Sequence, residues 1–409
     1  MRVFSSSRRT FLIAGGIATG AGTTMAHLSA FGGHREEGAT NIYQHLGVRT
    51  RINAKGTYTY LTGSLVFPEV SRAMEEAAQH YVNLEELQQK AGEKIAQMLG
   101  VEAAMVTSGA AGAIMLGTAA SLTGKDLQKI SQLPDVTGLK SEVIIQRTHR
   151  NPFDHAIRNA GVRLVEVETP EELASAISAK TAMMYFLNAA QNVGKIGQQQ
   201  WIEAGKRHSI PTFNDAAADV PPVSHLSDYI RMGFDMVAFS GGKGLRGPQC
   251  AGLLLGRKDL IEAAILNNNP HEDALGRPCK VGKEEICGMF AAVTRYLEID
   301  HDAEWKDWER RLDCMDAVLS SIPSVTTGRF VPDVANHVPH LYLTWDEKKL
   351  GISKAQCCAQ LRDGEPGIEV LEDSYPQGMA LTPFMMKPDE DLIVANRIKA
   401  VLTSGKADG

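Results

Sequence analysis

Between residues 103 and 255 the chain alternates short runs of β-forming apolar residues with segments of helix length, and this alternation constrains the fold most strongly. Seven runs are predicted as strands: 103–107 (AAMVT), 143–146 (VIIQ), 163–167 (RLVEV), 182–187 (AMMYFL), 210–214 (IPTFN), 235–239 (DMVAF) and 251–255 (AGLLL). Strands joined by helical crossovers form parallel sheets covered by helices. The pattern therefore predicts an α/β fold with a mostly parallel seven-stranded sheet, in which the hairpin over 235–255 adds one antiparallel strand.

The regions on either side of this alternation read as helical or mixed. Apolar residues between Val70 and Leu99 recur at helical spacing, and Asn83 is a candidate break between two helices. Beyond the sheet, a polar loop leads to a long helical pattern from Glu284 to Leu319. A strand candidate over 340–345 and a final helix predict a smaller α+β C-terminal domain.

These patterns suggest a division of the 409 residues into five parts. They are a signal (1–30), an N-terminal arm (31–66), a large cofactor-binding α/β domain (67–265), a substrate or interface loop (266–284) and a small C-terminal domain (285–409). A formal net charge of -6 gives no clustered basic surface for phosphate backbones, so we expect no nucleic-acid partner.

The first thirty residues resemble a twin-arginine export signal. The pair Arg8-Arg9 precedes a weakly apolar stretch rich in Gly, Ala and Thr. This predicts a periplasmic or otherwise exported protein that has no stable membrane association once the signal is cleaved. An ordinary secretory signal or an uncleaved anchor is the alternative.

The six cysteines form no C-x-x-C pair and no metal-ligand spacing, so no metal site is expected. Cys357 and Cys358 are neighbours in a helical context, where buried packing is their expected role.

Polar and glycine-rich segments follow several of the predicted strands, at the sheet edge where such folds bind ligands. Ser108, Gly109 and Ala110 open an Ala/Gly-rich helix whose backbone N–H groups can hold a phosphate. Close packing of that helix on the sheet explains the same residues. Asp215 ends the fifth run, where a carboxylate can pair with a protonated ring nitrogen. A helix N-cap is the alternative role for Asp215.

Lys243 lies among glycines in FSGGKGLRGPQCAG (239–252). A lysine that attacks an aldehyde must be partly desolvated so that its neutral amine is populated. Ser240 offers a hydroxyl to a nearby phosphate, and His149 is a candidate to stack on a cofactor ring. A surface lysine in a turn and a hydrogen-bonded structural histidine are the respective alternatives. In this order along the sheet, the residues predict a pyridoxal 5'-phosphate site.

The chain resembles fold-type I pyridoxal phosphate enzymes of the selenocysteine synthase (seryl-tRNA selenium transferase) group, especially the D-glucosaminate-6-phosphate ammonia-lyase-like branch. The resemblance covers roughly residues 40 to 400. It rests on INAKGTYTYLTGSLVFPEV (52–70), VTSGAAGAI (106–114), HRNPFDHAIRNAGVRLVEV (149–167), FSGGKGLRGPQCAGLLLGRKDLI (239–261) and LGRPCKVGKEEICG (275–288). It implies the fold-type I transferase fold and a homodimer or higher homo-oligomer with the site at the subunit interface.

The resemblance also implies roles for individual residues. Ser108, Gly109 and Ala110 correspond to the phosphate cup, with support from Ser240. His149 corresponds to the ring-stacking residue, Asp215 to the pyridinium partner and Lys243 to the Schiff-base lysine. Candidate substrate contacts in the 52–64 and 275–283 loops are Asn53, Thr62, Arg277 and Lys280. Loop stabilisation or surface charge explains these four equally well.

The expected reaction is α,β-elimination on a β-hydroxy amino acid or 2-amino sugar acid: the β-hydroxyl leaves as water, and the resulting enamine hydrolyses to ammonia and a 2-oxo acid. Lys243 would bind the cofactor aldehyde and then remove the substrate's Cα proton. The chain lacks a long basic RNA-binding extension, which argues against an aminoacyl-tRNA substrate, and the export signal argues against a phosphorylated one. Racemisation, aldol cleavage, transamination and an exported non-catalytic cofactor-binding protein are the alternatives.

Overall fold

The computed structural model describes residues 41–372 and 378–404. The predicted signal over residues 1–30 lies outside the described residues. The chain divides after Arg49 into two units, and the second unit holds all the described strands. Residues 50–409 form one unit, and this division does not test boundaries inside it. The predicted domain boundaries at 67, 265 and 285 therefore stay a prediction.

The central sheet contains seven strands in the order β2-β8-β7-β6-β5-β3-β4. They are β2 (Ala103–Thr107), β3 (Glu142–Gln146), β4 (Arg163–Val167), β5 (Thr181–Leu187), β6 (Thr212–Asp215), β7 (Met236–Ser240) and β8 (Gly252–Gly256), preceded in the chain by β1 (Arg51–Asn53). Strand β8 is antiparallel to both of its neighbours, and the other pairs are parallel. All seven predicted strands and the single antiparallel strand are confirmed.

The sheet is covered on both faces, which explains the nearly continuous apolar runs in its strands. One face carries Ile144, Phe186 and Phe239 and packs against helices on that side. The other carries Tyr185 and Phe213. Strand β6 begins two residues later than predicted, at Thr212, because Pro211 has no backbone N–H for the sheet ladder.

The described residues contain fifteen α-helices. They are α1 (Ile42–His45), α2 (Pro68–Ala78), α3 (Leu84–Leu99), α4 (Gly109–Thr123), α5 (Leu127–Gln132), α6 (His155–Arg158), α7 (Pro170–Ala176), α8 (Gln198–His208), α9 (His225–Met232), α10 (Lys258–Leu266), α11 (Lys283–Glu298), α12 (His301–Leu319), α13 (Glu347–Leu350), α14 (Lys354–Asp363) and α15 (Glu390–Ser404). Among these described helices, none is long and apolar enough to span a membrane.

Helix caps decide where the predicted helical stretches divide. Asn83 caps α3 by accepting a hydrogen bond from Glu86 N at 2.9 Å, so the predicted break there is confirmed. The prediction of one long helix from Glu284 to Leu319 is wrong. Two helices, α11 and α12, meet there because Ile299 leaves helical geometry and Asp300 caps α12 through Ala303 N.

The C-terminal region adds a second, smaller sheet with its own apolar core. Its strands are β9 (Val325–Phe330), β10 (His340–Trp345) and β12 (Gly378–Leu381), all antiparallel, and β11 (Gly367–Glu369) lies nearby in sequence. Strand β1 pairs in parallel with β11, so the predicted N-terminal arm contributes a strand to this region. Cys357 and Cys358 are buried in α14, as predicted.

Candidate active site

The candidate phosphate residues meet at one edge of the central sheet. Thr107 pairs with Gly252, and Gly252 pairs in turn with Ser240, so the ends of β2 and β7 flank the start of β8. A Cβ at Gly252 would lie 2.5 Å from the carbonyl carbon of Gly109 and 2.8 Å from Ala110 N. Only glycine allows this approach, which brings the N-terminus of α4 beside the Ser240 strand.

The N-terminus of α4 is open to an anion. Ser108 is the N-cap, yet its side chain makes no capping hydrogen bond. Gly109 has a φ of +70°, and the position of its Cβ faces open space. The first N–H groups of a fifteen-residue helix have no partner within the helix, and the helix dipole favours negative charge there. Ser108, Gly109 and Ala110 therefore fit a phosphate group.

Asp215 is almost completely buried at the end of β6, with 5% of its surface exposed. The hydroxyl of Tyr185 donates to Asp215 Oδ2 at 2.7 Å, and Ala217 N donates to Oδ1 at 3.1 Å. No helix begins directly after Asp215 in the described chain, so the helix-cap alternative does not apply. Burial raises the pKa of Asp215, against the effect of its hydrogen bonds and Lys243. A cationic ring nitrogen would restore its charged form.

Lys243 occupies a tight turn between β7 and β8. Arg246 N donates to Lys243 O at 2.9 Å, and a Cβ at Gly244 would lie 1.9 Å from Val220 O. Burial lowers the pKa of the Lys243 amine, while Asp215 and Asp219 oppose this change. Among the described residues its Nζ makes no hydrogen bond and no ion pair within 4 Å. A half-buried amine without a partner is the state that attack on an aldehyde requires.

The loop that follows β1 packs directly on the Lys243 turn. Gly63, with a φ of +69°, sits so close that a Cβ would lie 2.1 Å from Gly242 O. Ser64 Oγ donates to the same carbonyl at 3.1 Å, and Phe67 N donates to Arg246 O at 3.2 Å. Thr62 is exposed beside this contact and has a φ of 64°.

Asn53 serves its own loop in this structure. Its Oδ1 accepts hydrogen bonds from Lys55 N and Gly56 N, and its Nδ2 donates to Gly56 O at 2.9 Å. This matches the loop-stabilising alternative for Asn53.

His149 lies near this edge of the sheet but has no exposed surface. Leu187 N donates to the His149 Nδ1 at 3.1 Å, and the His149 Nε2 lies 3.1 Å from Gln146 Nε2. The Phe186 ring packs edge-on against the imidazole, with 4.4 Å between the ring centroids. Burial lowers the pKa of His149 to about 4, so its ring is neutral at physiological pH. This environment matches the structural-histidine alternative, and the ring-stacking role of His149 stays a prediction.

Arg277 and Lys280 lie in a loop that packs on α4 away from its N-terminus. A Cβ at Gly276 would lie 2.7 Å from Leu116, two turns into that helix. Within the described residues no side-chain hydrogen bond or ion pair connects Arg277 or Lys280 with the Lys243 turn. Their assignment to a substrate, or to a neighbouring subunit's site, stays a prediction.

Sequence reasoning missed four buried polar residues at this edge. Tyr185 holds Asp215, whereas Asn188 and Tyr229 hold a second buried carboxylate, Asp219. Tyr185 lies in an apolar strand, where its pattern signals core packing alone. Asp219 has a visible signal, because FNDAAAD places it four residues after Asp215.

The residues at this edge fit pyridoxal phosphate by the chemistry of their groups. An open helix N-terminus and a serine hydroxyl suit a phosphate, a buried carboxylate suits a protonated ring nitrogen, and an unpartnered amine suits an aldehyde. The strand before the helix N-terminus, β2, and the strand that ends at Ser240, β7, are both neighbours of β8. Asp215 pairs with Ala238 in β7, which leads to the Lys243 turn.

Comparison with known proteins gives a family match and full-length relatives. The family model for L-seryl-tRNA selenium transferase matches residues 51–307. A 5'-C-glycyluridine monooxygenase-decarboxylase from Streptomyces sp is 30% identical over 377 residues, covering 89% of this chain and 92% of the relative. A D-glucosaminate-6-phosphate ammonia lyase from Salmonella typhimurium is 29% identical over 373 residues, covering 88% of this chain and 98% of the relative.

Solved structures support the same fold. A structure of D-glucosaminate-6-phosphate ammonia-lyase superposes with a TM-score of 0.78 at 28% identity, covering 90% of this chain and 99% of the other. A structure of SPT with PLP has a TM-score of 0.54 at 13% identity, covering 86% of this chain and 87% of the other. At this identity the likeness shows the fold alone. The predicted fold-type I α/β architecture is confirmed.

Proposed function

This chain belongs to the L-seryl-tRNA selenium transferase family, and from this we propose that it is a pyridoxal-phosphate-dependent lyase. In the proposed reaction a β-hydroxy amino acid or a 2-amino sugar acid first loses its β-hydroxyl as water, and hydrolysis of the resulting enamine then releases ammonia and a 2-oxo acid. The observation that carries the proposal is the half-buried, unpartnered amine of Lys243 at the same sheet edge as buried Asp215. Full-length similarity to an ammonia lyase supports the lyase class.

Each residue of the site has a distinct task. The N–H groups at the start of α4, with Ser108 and Ser240, would bind the phosphate and fix its position. Asp215 would accept a hydrogen bond from the ring nitrogen, and the Tyr185 hydroxyl keeps the Asp215 carboxylate oriented. When bound, the cofactor supplies an electron sink for the carbanion formed at Cα. Lys243 Nζ would first hold the cofactor's aldehyde carbon and then take the Cα proton.

The substrate class follows from the reaction and the relatives' names. Elimination requires an amine on Cα and a leaving hydroxyl on the next carbon, which 2-amino sugar acids and β-hydroxy amino acids both carry. One relative is named for a phosphorylated sugar acid and another for a glycyl nucleoside, so both place an amino acid unit on a polyhydroxylated frame. We therefore favour an amino sugar acid.

The first experiment tests cofactor attachment. We expect the purified chain, mixed with pyridoxal phosphate, to show a visible absorbance band that borohydride fixes to the Lys243 peptide. Lys243→Ala should lose the band and the covalent label and lower turnover by at least about 10³-fold, because it removes the amine that would hold the aldehyde. The control is Lys258→Ala, which removes an exposed lysine from α10 and should leave both readouts unchanged. A Lys243→Ala protein with normal turnover would overturn the proposal.

The second experiment identifies the reaction. Panels of D- and L-β-hydroxy amino acids and 2-amino sugar acids, with and without phosphate, are screened for release of ammonia and 2-oxo acid. Carbon dioxide is measured in parallel, because the relative named monooxygenase-decarboxylase makes decarboxylation the second candidate reaction. Carbon dioxide release without ammonia would reject the lyase assignment and leave the cofactor assignment intact.

We also propose that the protein is exported through its twin-arginine signal and acts as a homodimer or larger homo-oligomer. The Arg8-Arg9 pair supports export in a folded, cofactor-loaded state. Fractionation of cells expressing the full chain and an Arg8→Lys, Arg9→Lys variant tests the route, since only the unaltered chain should reach the exported fraction. Light scattering on the purified chain tests the oligomer.

A further inference from the structure

A second buried carboxylate, Asp219, lies in the segment between β6 and α9. Its exposed fraction is 2%, and its Oδ2 accepts hydrogen bonds from Asn188 Nδ2 at 2.6 Å and from the Tyr229 hydroxyl at 3.4 Å. The backbone N–H of Ala335 also donates to it. Three donors from three different segments therefore fix the position of this carboxylate.

The segment that carries Asp219 runs beside the Lys243 turn. Ser240 N donates to Ala217 O at 3.3 Å, and Gly244 lies against Val220 so closely that a Cβ would sit 1.9 Å from Val220 O. The immediate neighbours of Asp219 and Lys243 are thus in contact. Two carboxylates, Asp215 and Asp219, act on the charge of the Lys243 amine.

The loop between β9 and β10 locks this segment in place. Asn336 N donates to Ala218 O at 2.9 Å, while the Asn336 side chain accepts hydrogen bonds from Thr57 N at 3.2 Å and Thr57 Oγ1 at 2.6 Å. The segment that carries Asp219 is therefore held by hydrogen bonds between the sheet edge and the C-terminal region.

The two carboxylates face two positive charges during the proposed reaction. Asp215 would pair with the ring nitrogen of the bound cofactor, and Asp219 would then be the carboxylate available to the ammonium form of Lys243. We propose that Asp219 is a positioning residue that stabilises protonated Lys243 after it has taken the Cα proton. This inference rests on the proposed function and deepens it.

The proton balance is closed without any further reactant. The Cα–H bond breaks, its proton goes to Lys243 Nζ, and its electron pair stays with the substrate and cofactor. The Cβ–O bond then breaks while the electron pair forms a double bond between Cα and Cβ. The proton passes from Lys243 Nζ to the leaving hydroxyl, which departs as water, and Lys243 returns to the neutral amine. Asp219 keeps its charge throughout.

Other groups near these two residues bear on the test. Asp215 and Asp219 face the Lys243 amine, whereas Asp215, His225, Tyr229 and Lys243 face Asp219. Burial raises the pKa of Asp219 to about 6, so its carboxylate is charged at pH values well above 6.

The experiment measures the reactivity of the Lys243 amine in the full chain, freed of cofactor, as a function of pH. Acetic anhydride labels neutral amines, and mass spectrometry of the Lys243 peptide gives the pH midpoint. Asp219→Asn keeps the oxygen that accepts from Asn188 but removes the charge. We expect it to lower the midpoint by about one pH unit, because a neighbouring negative charge favours the ammonium form.

Asp219→Ser is a second neutral variant, and circular dichroism shows which of the two retains the fold. Asp219→Glu restores the charge and should return the midpoint toward that of the unaltered chain. The matched control is Asp228→Asn, which removes a charge from α9 that pairs with Arg231 at 3.2 Å and should leave the midpoint unchanged. An unchanged midpoint in a folded neutral variant, or the loss of fold in both neutral variants, would overturn the inference.

The same variants separate this inference from the proposed function. Borohydride trapping of pyridoxal phosphate on the Lys243 peptide of the unaltered chain tests only the proposed function. If trapping succeeds and the neutral variants keep the original midpoint, the cofactor assignment stands and the role of Asp219 falls. If trapping fails, the proposed function falls, whatever the midpoints. In the loaded enzyme, Asp219→Asn should lower kcat by about tenfold and leave KM nearly unchanged.

Discussion

Gly63 occupies a backbone position that admits no side chain. Its φ of +69° lies in the left-handed region, and a Cβ would meet Gly242 O at 2.1 Å and Gln249 Oε1 at 2.7 Å. The contact joins the loop after β1 to the turn that carries Lys243. At the residue scale, the orientation of the reactive lysine therefore depends on a residue 180 positions earlier in the chain.

Gly63→Ala should destabilise the fold and weaken cofactor binding. We expect a loss of about 2 kcal/mol or more in the free energy of unfolding, from the left-handed backbone and the collision with Gly242 together. Urea denaturation and titration with pyridoxal phosphate measure the two effects. The matched control is Gly100→Ala, which has a similar φ of +64° but meets nothing within 4 Å. Equal losses in both variants would show that the collision contributes nothing.

Helix α3 and strand β2 show how elements determine the site's geometry. Gly92 faces β2, and a Cβ there would lie 2.2 Å from Ala104 O. Strand β2 leads directly to Ser108, so the close approach of α3 helps to fix where α4 begins. Within the described part of the chain, β2 is an edge strand that pairs only with β8, so packing of this kind supplies its other support.

Gly92→Ala should destabilise the protein although alanine is the better helix former. Helix propensity favours the change by about 1 kcal/mol, but the new methyl group forces α3 away from β2, which costs more. Hydrogen exchange should then increase in the 103–107 peptide, and the thermal midpoint should fall. Lys94→Ala, an exposed change in the same helix, is the control and should alter neither readout. A higher midpoint for Gly92→Ala would contradict the packing argument.

Two buried histidines make the stability of the whole molecule depend on pH. Burial lowers the pKa of His149 and of His340 to about 4. The unfolded chain binds protons below about pH 6.5 and the folded chain does not, so stability is present above this pH and is lost as pH falls toward 4. Each histidine contributes about 3 kcal/mol to the loss. Asp219, whose pKa is raised to about 6, opposes this trend.

His340→Gln should reduce the pH dependence of unfolding. A glutamine amide can donate to Val338 O, as the His340 ring does at 2.7 Å, but it does not titrate. The difference between the free energies of unfolding at pH 7 and pH 4.5 should therefore shrink by about 2 to 3 kcal/mol. His80→Gln, at an exposed position, should keep the full difference. A full difference in His340→Gln would exclude this residue as a source of the pH dependence.

The amino-acid sequence alone determined the seven strands of the central sheet, the antiparallel hairpin and the positions of Ser108, Asp215, Ser240 and Lys243 at strand ends. These features follow from local periodicity, turn residues and chain order, which the sequence displays directly. It missed the break at Ile299 because a cap, Asp300, lies within an otherwise continuous helical pattern.

Only the tertiary structure decided which polar residues near the site are buried and what they contact. His149 is enclosed by Gln146 and Phe186, and the segment that carries Asp219 packs against the Lys243 turn through Val220 and Gly244. The physical reason is that burial and electrostatic coupling arise between segments far apart in sequence, where packing sets distances that no local pattern encodes.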